Sequence, residues 1–170
     1  VRQNRIRAFG QSLTASLLAI AVLGTSAWAQ SATDAFRVEA ASDEIKVMSY
    51  NVLNLFDNVH DTTKKDWTWL PISDPLKKEC SRISNPSYRE DCETVDWTQD
   101  KIKIKLGQIK AAISYQGSLP DLLAVQEIEG PTITGLLAKE LGYQHFLITN
   151  SPDERGINVA LLYNTDKLEY

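Results

Sequence analysis

Two stretches decide how this chain is read: Ile45-Lys46-Val47-Met48-Ser49-Tyr50-Asn51 and Asp121-Leu122-Leu123-Ala124-Val125-Gln126-Glu127. The first alternates in a rough period of two, with branched residues at its start, and predicts a strand ending at Asn51. The second is a short apolar run closing on two polar residues, which predicts a strand buried on both faces. Between them, Thr98 suits an N-cap and Asp100 the first turn, and Ile102, Leu106, Ile109 and Ile113 share one helical face. Gly117 and Pro120 stop that helix. Residues 132–141 read as a second helix stopped by Gly142. Residues 144–149 and 158–164 read as two further strands around a polar turn with Pro152 and Gly156. Strand, helix, strand, helix, strand, strand predicts an α/β architecture without internal repeats.

Both opening strands finish by presenting a polar side chain at their C-terminal end. Ligands of open α/β sheets bind beyond those ends, so adjacent strands would bring Asn51 and Glu127 to one site. Glu127 offers a carboxylate to a hard divalent cation, and Mg²⁺ is satisfied by one or two carboxylates together with water. Asn51 offers an amide oxygen and a donor. Read singly, Glu127 equally suits a helix cap or a lysine partner, and Asn51 a turn.

The N-terminus belongs to a different category. Arg2, Arg5 and Arg7 precede an apolar run from Leu13 to Leu23, and Ala27-Trp28-Ala29 follows. These are the three parts of a secretory signal peptide, with cleavage expected between Ala29 and Gln30. The apolar run is too short to cross a hydrocarbon core of ~30 Å. The expected product is therefore secreted or periplasmic, without stable membrane insertion. Residues 30–44 read as a flexible mature N-terminus. Losing three arginines and no acid moves the net charge from −4 to −7. Such a field opposes sequence-independent binding of a polyanion, so local cations or bound metal must offset it.

Residues 57–97 carry no clear period and form an excursion with Trp67, Trp69, Trp97 and both cysteines. Loops this long inside a compact domain are functional or disordered, and the tryptophans and cysteines argue for order. In an exported chain Cys80 and Cys92 read as a disulfide rather than two free thiols. The three rings either stack bases of a substrate or build a satellite core, and the usual burial of large aromatics favours the core.

The run from Ile45 to Asp57 resembles the opening strand of the endonuclease/exonuclease/phosphatase family, of the DNase I type. Pro120 to Glu127 is similar to that family's second motif, and Arg155-Gly156-Ile157-Asn158-Val159-Ala160-Leu161-Leu162-Tyr163 to a later strand. The resemblance implies a two-sheet α/β sandwich and in-line attack of water on a phosphoester. It also implies Mg²⁺ (or Mn²⁺ or Ca²⁺) held by Glu127, with Asn51 in the active site. Gln126 is expected to support Glu127, and Arg155 is read either as a phosphate partner or as a solvated loop residue.

The departures from the family pattern carry equal weight. Its Gly-Asp-x-Asn and Ser-Asp-His motifs do not occur here, and the two histidines, His60 and His145, stand outside any such context. His145 is expected to be a packed or edge residue. The reading is therefore of a truncated domain that holds one wall of the site, with little activity by itself. The leading expectation is an exported endonuclease acting on nucleic acid. A phosphatase or phospholipid phosphodiesterase of the same fold and a non-catalytic binding module are the alternatives, and no feature points to a protein partner.

Overall fold

The computed structural model describes residues 44–168 apart from Gln116. The expected signal peptide (residues 1–29) and all but the last residue of the expected flexible segment 30–44 lie outside the described residues. Strand β1 (Val47–Leu55) pairs in parallel with β2 (Leu122–Ile128), in the register Val47↔Leu122 to Asn51↔Gln126. Strand β4 (Asn158–Tyr163) pairs antiparallel with β2, and β3 (His145–Ile148) antiparallel with β4. Among the described residues they form one sheet in the order β1-β2-β4-β3. The second sheet implied by the resemblance is not among them.

Among the described residues, three α-helices accompany the sheet. Helix α1 (Pro86–Thr94) lies in the excursion, while α2 (Gln99–Ser114) and α3 (Pro131–Leu141) follow β1 and β2. Thr98 caps α2 by accepting from Lys101 N, and Ile102, Leu106, Ile109 and Ile113 are its buried face. Helix α3 begins on Pro131, whose missing N–H is no loss at a first turn. It ends at Gly142, which takes φ 84°, a left-handed conformation open to a residue without Cβ. These faces enclose Leu123, Val125, Ile128, Ile133, Leu137 and Leu162 in one core.

Strand β2 departs from expectation. Leu123, Val125 and Ile128 are buried, but Leu122, Ala124 and Gln126 are only half-buried. The helices cover one face of the sheet, and the other carries exposed Val47, Ser49 and Val159. His145 is exposed on the edge strand and stacks on Tyr163, in line with the sequence reading.

The excursion is ordered. Cys80 and Cys92 form a disulfide with a Cα–Cα distance of 5.6 Å, joining the 3-10 helix Pro75–Arg82 to α1. Lys77 Nζ donates to the carbonyls of Thr68, Cys92 and Val95. Trp69 stacks on Phe56 and meets Trp97 edge-on, and Trp97 belongs to the main core with Trp69 packed against it, so the expected separate satellite core does not form. Trp97 Nε1 donates to Phe56 O at 3.0 Å, so the chain leaves the sheet and returns to it at one point.

Candidate active site

Regular pleating would keep Asn51 and Glu127 apart. Asn51 is paired with Gln126, so the two share one face, and the next residue along β2 should point to the other. The register is broken at this residue on both sides. Between Asn51 and Leu55 the β1–β2 ladder slips, and between Gln126 and Ile128 the β2–β4 ladder slips. Glu127 is thus a bulge residue with φ 63°, and bulges re-aim side chains.

The result is a direct bond. Asn51 Nδ2 donates to Glu127 Oε1 at 2.8 Å. The second carboxylate oxygen, Oε2, accepts from the backbone N–H of Asn54 at 3.1 Å. Asn51 Oδ1 in turn accepts from Leu53 N at 2.7 Å. Leu53 and Asn54 also hold positive φ, 54° and 60°. Left-handed backbone costs an L-residue roughly 1–2 kcal/mol, and here three such residues surround one carboxylate.

Lys105 of α2 helps to hold this backbone. Its ammonium donates to Leu53 O and to Asn54 O, and it lies 5.5 Å from the Trp97 ring centroid and 6.0 Å from that of Trp69. Burial pulls the Lys105 ammonium below the usual lysine range, and the Glu127 charge opposes that shift. The carboxylate, the left-handed turn and the lysine form one unit.

The chain belongs to the Endonuclease/Exonuclease/phosphatase family. The model of that family matches residues 46–170, from the start of β1 past β4. No curated protein and no solved structure matches. Membership makes the chain a relative of phosphodiesterases, nucleases and phosphatases, hydrolases that usually require a divalent metal.

The donor set around Glu127 suits the family's metal in kind. A half-buried carboxylate held by two donors keeps lone pairs on both oxygens, which a hard cation accepts alongside water. No group of three or more acidic, His or Cys side chains with metal-binding geometry occurs among the described residues.

Gln126 does not support Glu127. Its amide donates instead to Ser49 Oγ and Ala124 O, one step back along the strands from the Asn51–Glu127 bond. Arg155 is exposed and pairs with Asp153 at 3.4 Å. It lines the same cleft as Asn54, and so stands near the centre without touching Glu127.

A buried acid beyond the strand went unread in the sequence. Glu129 is 7% exposed, accepts from Asp57 N at 2.9 Å, and carries a carboxyl that burial pushes up to about 8. Asp66, also buried, accepts from Asp61 N and contacts His60 Nδ1. No periodicity signals either acid, Glu129 just past β2 or Asp66 in the excursion. Lys105 could have been found, since it sits three residues after Ile102 on the flank of the apolar stripe.

Proposed function

We propose that this protein is an exported, Mg²⁺-dependent phosphodiester hydrolase acting as a nuclease on DNA or RNA. The observation that carries the reading is the Asn51–Glu127 pair, aimed by a bulge at the end of the two central strands. Backbone strain maintained around a single carboxylate is a mark of function. Glu127 and Asn51 are the residues that would hold the metal. Bound there, Mg²⁺ supplies Lewis acidity at a phosphoryl oxygen.

The chain's own residues do the positioning. Asn51 fixes Oε1 of Glu127, the Asn54 N–H fixes Oε2, and Lys105 keeps the Leu53–Asn54 turn in place. Arg155 offers its guanidinium to phosphate from the cleft wall. No residue of this chain is assigned as general base.

Export is supported by the arginines, apolar run and Ala27-Trp28-Ala29 at the N-terminus, and by the Cys80–Cys92 disulfide, which suits an oxidising compartment. Sequencing the N-terminus of the product recovered outside the cytoplasm should return Gln30 first.

Cleavage of plasmid DNA in Mg²⁺ by the full-length protein tests the activity. It should stop with chelator and with Glu127→Ala. Undiminished cleavage by that variant sinks the assignment, and intact DNA beside phosphate release from an inositol or lipid substrate moves it to a different phosphoester.

A further inference from the structure

A cleft of about 820 Å³ separates the sheet from the excursion. Asn54 forms its sheet-side edge, and the same residue donates to Glu127, so the cleft opens beside the candidate centre. The excursion contributes Trp67, Arg82 and Tyr88, and Lys65 and Arg155 complete the charged wall. In a chain of formal charge −4, the lining gathers three cations against one acid, Asp91.

The cations are not locked. Arg82 pairs with Glu79, Arg155 with Asp153 and Lys65 with Glu154, all through side chains that are largely exposed on the basic partner. Exposed pairs of this kind are weak, and a phosphate offers a guanidinium a better, bidentate partner. Beside them stand aromatic faces. Tyr88 is 67% exposed, and the Arg82 guanidinium lies 6.0 Å from the centroid of the Trp67 ring.

The wall is also rigid. The disulfide ties the segment bearing Arg82 to the helix bearing Tyr88, and Arg89 Nε donates to Ile83 O between them. A site built in advance loses less freedom on binding.

We propose that the excursion is a strand-binding arm, whose cleft takes an unpaired nucleobase and its adjoining phosphate from a single-stranded polynucleotide. Aromatic rings interleaved with cations bind such strands by stacking and charge. An inositol phosphate has no π face to stack, and a lipid would favour a continuous apolar surface over this mixed lining. The placement of the strand next to a scissile bond rests on the hydrolase reading of Glu127; the binding itself does not.

Binding of a fluorescein-labelled oligothymidylate to the full chain, followed by anisotropy in chelator and low salt, tests the arm without turnover. Tyr88→Ala and Arg82→Ala should each weaken binding by roughly tenfold, the scale of one lost stacking or cationic partner. Both residues are exposed, and unchanged thermal midpoints would show that the variants fold. Equal affinity in wild type and both variants overturns the proposal, as does equal affinity for an abasic oligomer of the same length. A wild type that binds the strand with this variant dependence but hydrolyses no phosphodiester supports the arm and sinks the hydrolase reading. DNA cleavage with binding untouched in both variants does the reverse.

Discussion

Asn51 Nδ2 donates to Glu127 Oε1 at 2.8 Å although the sheet register pairs Asn51 with Gln126. The bond exists because Glu127 is bulged out of both of its ladders. Partners that orient a metal-binding carboxylate typically control affinity or activity by 10–100-fold. Asn51→Ala should therefore lower hydrolysis by about that factor and raise the Mg²⁺ concentration needed for half-maximal rate. A metal titration of the variant measures both, and an unshifted midpoint would remove Asn51 from this role.

Lys105 should stabilise the turn that bears on the carboxylate. Replacing it with Met keeps the apolar stem but deprives Leu53 O and Asn54 O of their donor. Losing such a donor costs about 1–3 kcal/mol, readable by urea unfolding. Hydrogen exchange should quicken first at Leu53, Asn54 and Leu55. Uniform exchange across the sheet would contradict a local tether.

The Cys80–Cys92 bond holds the excursion rather than the sheet. Replacing both cysteines with Ser should lower stability by roughly 3 kcal/mol on the chain-entropy account of loop closure. Far-UV circular dichroism should remain close to that of the parent, while tryptophan emission shifts as Trp67 and Trp69 loosen in the excursion. Loss of the sheet signal would show that the excursion is needed for folding.

Asp121 predicts an acid-dependent stability. Its carboxylate accepts from Lys46 N at 2.8 Å and meets Lys167 Nζ at 3.3 Å, clamping the entry to β1 and β2. The Lys46 N–H bond, ahead of the Lys167 contact, holds its carboxyl below the usual value of 3.8. A depressed folded pKa gives stability that is present above the unfolded value and lost as pH falls through the folded one. Asp121→Asn should lower the thermal midpoint at pH 7, and the gap to the parent should close below about pH 4. A gap of constant size across that range would rule out the charged contact as its source.

The main elements could be read from the sequence because their periods are strong. Ile102, Leu106, Ile109 and Ile113 announce α2, and Leu123 with Val125 announce β2. Helix α1 was hidden because Cys92 is its sole buried residue, although Asn85 and Pro86 are a capping signal. Glu127 was legible as a strand-end carboxylate. Its aim was not, because neither Gly nor Pro marks the bulge and the positive φ falls on a glutamate. Trp67 divides from its two companions for a similar reason: composition predicts that large rings are buried, while tertiary contacts decide which ring lines a cleft.

The excursion departs after Phe56 and rejoins at Trp97, where the indole nitrogen bonds the Phe56 carbonyl. Its two ends are therefore neighbours, and its length places no demand on the register of β1 and β2. Between these ends the chain can change in length without shifting the strands, provided Trp69 and Trp97 keep their places beside Lys105 and the core.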